Sequence, residues 1–106
     1  MLSAIKNLFG NSSQLNEYLH NNALIVDVRT PHEFASGHIQ GSINIPLDAM
    51  DSVTKKLKPQ DHIIVCCRSG TRSAMAMGIL KSKGYKNVVN GGGWQSLNLT
   101  KQSLEK

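Results

Sequence analysis

The sequence is short of cysteine, of aromatic side chains and of long apolar runs, and each shortage excludes something. Its two cysteines, Cys66 and Cys67, are neighbours. Adjacent cysteines cannot staple distant segments, so the chain is not a disulfide-framed scaffold. A disulfide between them would be strained, because consecutive Cα atoms are held about 3.8 Å apart. Aromatic residues make up 5% of the chain, too few for the stacking platforms of nucleic-acid binders. The 12 Lys and Arg outnumber the 7 Asp and Glu but are spread along the chain. Nucleic acid is therefore not an expected partner, and the net charge of +5 reads instead as a mild pull on small anions. No apolar run approaches the ~20 residues of a membrane helix, so no membrane partner is expected. Residues 1–10 carry Leu2, Ile5, Leu8 and Phe9 at helical spacing, interrupted by Lys6. With no small-residue cleavage site they read as a short docking helix or a frayed end rather than a leader. A cytoplasmic, reducing compartment is the expectation, with the periplasm the alternative where a leader has been removed.

What is present fits one domain spanning residues 1–106, with an N-terminal extension over 1–11 and a polar tail over 100–106. Ser12 or Ser13 is placed to cap a helix over 14–20. The run Ala23-Leu24-Ile25-Val26 is apolar without alternation, as in a buried parallel strand. Thr30, Pro31 and Glu33 form a helix start, with a cap, a proline at the first position and an acid three residues after the cap. Gly37 ends that helix. A short strand is expected over 43–45, and a helix over 47–56 with Leu47, Met50, Val53 and Leu57 inward. A strand over 62–66 and a helix over 71–83, closed by Gly84, follow. Val88-Val89 reads as a last short strand, Gly91-Gly92-Gly93 as a flexible turn, and 94–99 as a final helical turn before a frayed tail. Strands alternating with helices imply a parallel sheet covered on both faces. Ligands of such sheets bind beyond the carboxyl ends of the strands, where Asp27 and Cys67 fall.

The chemistry gathers in Cys66-Cys67-Arg68-Ser69-Gly70-Thr71-Arg72, between the strand Ile63-Ile64-Val65 and a helix. A cysteine at a strand end, followed by a tight turn into a helix N-terminus, faces converging N–H groups and the positive end of the helix dipole. Such a thiol ionises easily, and Arg68 and Arg72 are expected to push the same way.

Asp27-Val28-Arg29, with Glu33-Phe34, Gly37-His38-Ile39, Gly41-Ser42 and Asn44-Ile45-Pro46, resembles the first signature of the rhodanese domain. Cys67-Arg68-Ser69-Gly70-Thr71-Arg72 resembles its six-residue active-site loop, and Gly91-Gly92 its C-terminal signature. The similarity runs from about Leu15 to Leu97, and Leu97 stands where many members carry an aromatic residue. The resemblance implies a rhodanese-like α/β fold with a parallel central sheet of about five strands and helices on both faces. It implies a sulfurtransferase whose Cys67 carries a persulfide between a small anionic donor such as thiosulfate and a cyanide, thiol or protein acceptor. Arg68, Ser69, Gly70, Thr71 and Arg72 would bind the donor, with Arg72 gripping its oxygens, and Asp27, Arg29 and Ser73 would support the site. No metal or cofactor is called for.

Counted from Cys66, the stretch has the Cys-x5-Arg-Ser shape of cysteine phosphatases; counted from Cys67 it is Cys-x4-Arg. Phosphatase loops usually carry glycine three residues after the nucleophile, and Gly70 meets that spacing from Cys67. Cys66 then reads as a small core residue. Arg29 and Glu33 are expected to pair across the strand-to-helix turn, with Asp27 left to orient the loop. His38 is expected to bond its loop, His20, His32 and His62 to lie at the surface, and Phe34 and Trp94 to anchor the core.

Overall fold

A computed structural model describes residues 12–105; the expected docking helix over 1–10 lies outside them. Helix α1 (Ser12–His20) contains both serines expected to cap it. It leads into β1 (Leu24–Asp27), then the short helix α2 (Pro31–Ala35) and the two-residue strand β2 (Ile43–Asn44). A 3₁₀ segment (Leu47–Lys55) precedes β3 (Ile63–Cys67), α3 (Thr71–Ser82), β4 (Val88–Gly93) and α4 (Trp94–Leu104). The strands pair in parallel in the order β2-β1-β3-β4.

Side chains of a strand alternate between faces, and β3 divides the core accordingly. Ile63, Val65 and Cys67 meet Ala76 and Leu80 of α3, and Met50, Val53 and Leu57 from the 3₁₀ region, on one face. Ile64 and Cys66 meet Leu97 of α4 and Leu15, Tyr18 and Leu19 of α1 on the other. The two neighbouring cysteines therefore point into opposite halves of the molecule. Tyr85, fully buried, donates from its hydroxyl to the Leu57 carbonyl at 2.7 Å and ties the two ends of the first half together.

Four elements differ from expectation. Four strands are present among the described residues rather than about five, because only four apolar runs of strand character exist there. The segment after Pro46 is 3₁₀ rather than α. Leu47, Met50 and Val53 recur every third residue, the period of that tighter coil. The glycine run is not a turn but the end of β4, and α4 continues to Leu104 instead of stopping at Leu99. Gly91 and Gly93 have no room for a side chain, and Gly92, with open space beside it, has φ 78°. A Cβ on Gly91 would lie 2.7 Å from Ile64 Cγ2, and one on Gly93 2.8 Å from the Arg68 carbonyl oxygen.

Candidate active site

Strand β3 ends on Cys67, whose 1% exposure leaves its sulfur under the loop that follows. Gly70 is in the left-handed region, with φ 104°, where a side chain would be strained. That conformation turns its N–H back onto Cys67 Sγ at 2.9 Å. Ser73, buried in the first turn of α3, brings its Oγ to 3.4 Å from the same sulfur. Burial pushes the Cys67 thiol up, but the Ser73 hydroxyl and the N–H groups of Ser73, Ser69 and Gly70 outweigh it, and the thiol lies below its ordinary value. The anion cradle expected from the sequence is therefore present. The hydrogen-bond donors of the loop lead this lowering, and Arg72, one of the two arginines expected to act, adds a charge interaction with the sulfur. Cys66 shows the opposite case. Facing the other half of the core, fully buried, its thiol is pushed far up by burial, with Asp27 adding to the shift.

The single hydroxyl hydrogen of Ser73 has several acceptors in reach. Asn90 Oδ1 lies at 2.7 Å and the Gly70 carbonyl at 3.1 Å. Asn90 also donates from Nδ2 to the Gly70 carbonyl and accepts the Gly92 N–H. It reaches the loop because the β3–β4 register shifts there. Val65 faces Asn90 and Cys66 faces Gly92, leaving Gly91 as the extra residue of a bulge. Sequence reasoning missed Asn90, since an asparagine before three glycines carries the signal of a turn.

Arg29 does not pair with the Glu33 carboxylate, and Asp27 does not reach the loop. Arg29 Nε and Nη2 hold the buried Asp27 carboxylate at 2.7–3.0 Å, and Nη2 donates to the Gly37 carbonyl. The guanidinium lies 4.7 Å from the centre of the Trp94 ring. These two residues pin the β1–α2 connection against α4. Only the backbone oxygen of Glu33 receives Arg29. The Glu33 carboxylate instead takes Arg72 in a two-pronged pair, Nη1 to Oε1 at 2.7 Å and Nη2 to Oε2 at 3.0 Å. Glu33 simultaneously completes the capping box with Thr30. The Arg72 hydrogen bonds, then the Thr30 N–H, bring the Glu33 carboxyl down to about 2. Arg68, Ser69 and Thr71 are exposed at the mouth of the loop.

His38 bonds the Phe34 carbonyl as expected, and its ring stacks on Phe34. Phe34 and Trp94 are only half-buried, so they flank the core more than anchor it, and His20, His32 and His62 are exposed. Among the described residues, no three His, Cys, Asp or Glu converge on a point where a metal could sit. A pocket of about 430 Å³ at the opposite end, beside Leu24 and His62, is lined by no cysteine.

The rhodanese-like domain model matches residues 11–99. YrkF of Bacillus subtilis, whose name describes a sulfur carrier, is 39% identical over 66 residues, 62% of this chain and 36% of its own length. The thiosulfate sulfurtransferase PspE of Escherichia coli is 36% identical over 78 residues, 72% of this chain and 75% of its own. The chain thus spans about a third of one of these relatives and three quarters of the other. The solved structure of the human single-domain sulfurtransferase TSTD1 superposes with a TM-score of 0.71 at 28% identity, covering 83% of this chain and 91% of that one.

Proposed function

The chain belongs to the rhodanese-like domain family, and we propose that it is a sulfurtransferase that carries sulfane sulfur on Cys67. The observation that carries this reading is the Cys67 sulfur beneath the Gly70 N–H and the Ser73 hydroxyl, at the carboxyl end of β3. A sulfur atom held there as an anion meets the Gly70 N–H already oriented toward it.

In the first half-reaction the Cys67 thiolate attacks the outer, sulfane sulfur of thiosulfate. The sulfur–sulfur bond of the donor breaks, its electron pair leaves with sulfite, and a Cys67 persulfide remains. In the second, cyanide or a thiolate attacks the outer sulfur, and the pair of the breaking bond returns to Cys67. The loop N–H groups from Arg68 to Ser73 receive the persulfide and the departing sulfite. Arg68, exposed at the mouth, meets the donor's oxygens. Arg72 holds the loop edge through Glu33, and would reach those oxygens only by giving up part of that pair. Ser69 and Thr71 line the entrance, while Asp27 and Arg29 act at a distance by fixing the adjacent connection. Both cysteines are free thiols, which suits a reducing, cytoplasmic setting, and the acceptor is a small thiol, cyanide or a protein thiol. No helix among the described residues is long and apolar enough to cross a membrane.

Intact mass after incubation with thiosulfate tests the reading. One added sulfur is expected on wild type and on Cys66→Ala, and none on Cys67→Ser, which should also lose thiocyanate formation from cyanide. An adduct that follows Cys66 instead would overturn it.

A further inference from the structure

Beside the loop lies a pocket of about 380 Å³ lined by Val28, Thr30, Pro46, Leu47, Asp48 and Arg72. Its origin is topological. Val28 and Thr30 follow the end of β1, Pro46, Leu47 and Asp48 follow the end of β2, and Arg72 belongs to the first turn of α3, after β3. Three adjacent parallel strands thus deliver their following loops to one crevice, the position where open α/β sheets take ligands. Two backbone bonds fix its floor. Val28 donates to the Cys66 carbonyl at 2.9 Å, and Leu47 donates to the Val28 carbonyl at 3.0 Å. The volume suits a small molecule.

The lining decides which small molecule. Val28, Pro46 and Leu47 offer apolar surface. Arg72, the one cation, has its fork filled by Glu33, so that pair is electrically neutral at the pocket wall. What remains is the exposed carboxylate of Asp48. A small inorganic dianion finds neither a free fork nor a favourable local charge here. A ligand with an apolar body and no carboxylate fits on both counts.

We propose that this pocket is the acceptor subsite of the sulfur transfer, and that it selects a thiol with an apolar body and no carboxylate. The proposal rests on the Cys67 persulfide reading. The acceptor thiolate attacks the outer sulfur of Cys67–S–S⁻ and a new sulfur–sulfur bond forms on the acceptor. The Cys67 Sγ–S bond breaks with its electron pair returning to Cys67, so the step is a sulfur transfer without net redox change. The acceptor leaves as its persulfide. The apolar body rests on Val28, Pro46 and Leu47 meanwhile, and Asp48 turns away thiols that carry carboxylates.

The test separates loading from discharge. Cys67 is loaded with thiosulfate in one arm and with inorganic polysulfide in the other, and the adduct is read by intact mass. Loss of the adduct is then timed against benzyl mercaptan, 2-mercaptoethanol and 3-mercaptopropionate, with rates expressed per thiolate. Benzyl mercaptan should discharge the wild type about tenfold faster than 3-mercaptopropionate, the scale of discrimination an apolar pocket achieves. Leu47→Ser should slow benzyl mercaptan several-fold more than it slows 2-mercaptoethanol. Asp48→Lys, on an exposed position, should speed 3-mercaptopropionate several-fold. Rates that follow thiol basicity alone, in wild type and both variants, would overturn the subsite while leaving the persulfide reading intact. Loading by polysulfide but not by thiosulfate would remove thiosulfate as donor and leave the acceptor test running. No adduct from either source would overturn both.

Discussion

At the scale of single residues, two neighbouring thiols have opposite fates because a strand turns successive side chains to opposite faces. Cys67 meets donors and Cys66 meets apolar side chains, and their pKa values move apart. The consequence for stability has a definite sign. Thiols of the unfolded chain lose their protons near pH ~8.5. Cys66 keeps its proton well above that when folded, so its burial favours the fold below that pH and is progressively lost above it. Cys67 has the opposite sign. Its contribution is full above the unfolded value and is lost as the pH falls through the lower folded one. Urea titrations at pH 8 and pH 10 should therefore show Cys66→Ala keeping a larger share of its stability at pH 10 than wild type does. Equal losses would place the alkaline sensitivity elsewhere. Gly70 singles out Cys67 as the proposed nucleophile, and the strand-turn-helix order places converging N–H groups on it, but the order of strength among its activating groups was not legible. Arg68 and Arg72 stand beside Cys67 in the chain and suggest a charge effect, whereas Ser73 was expected only as a supporting residue, without the approach of its hydroxyl to the sulfur.

At the scale of elements, local chemistry wrote the starts and stops that the sequence made plain. Thr30, Pro31 and Glu33 cap α2 as their spacing predicts. Gly84, with φ 97°, follows the end of α3. The C-terminal third was misread for a physical reason. Gly91-Gly92-Gly93 has the composition of a turn, yet Gly91 and Gly93 are required by contacts made from β3, α4 and the active-site loop, and Gly92 by its left-handed backbone. Helix α4 continues through Thr100, Lys101 and Gln102, whose polarity suggests a frayed end. The two close-approach glycines should fail differently when given a methyl group. Gly91→Ala presses on the side chains of Ile64 and Leu97 and should cost about 1–3 kcal/mol, as overpacking does. The loop sulfur should stay as reactive as before. Gly93→Ala presses on the Arg68 carbonyl, which is backbone and cannot swing aside. It should slow alkylation of Cys67 as well as destabilise. Denaturant midpoints with iodoacetamide rates on both variants check this, and equal loss of reactivity in the two would contradict it.

At the scale of the whole molecule, the fold class followed from the sequence, because it depends on the order of strands and helices, and the same order places the proposed site. A parallel sheet puts the ends of β1 and β3 on one edge whatever its details, and Asp27 pairs with Cys66 there. Pairings across the chain did not follow. Glu33 meets Arg72 39 positions away, and Ser73 meets Asn90 17 positions away. The first depends on how α2 and α3 sit at the sheet edge, the second on a bulge that only the assembled sheet defines. The central claim joins these scales: the sheet edge, the Gly70 turn and the first turn of α3 together hold Cys67 as an easily ionised sulfur. The most direct test is the rate of iodoacetamide labelling against pH in a Cys66→Ala background, where one thiol reports. The account predicts an inflection below that of a free thiol, shifted upward by Ser73→Ala and less by Arg72→Ala. A free-thiol curve in all three proteins would contradict it.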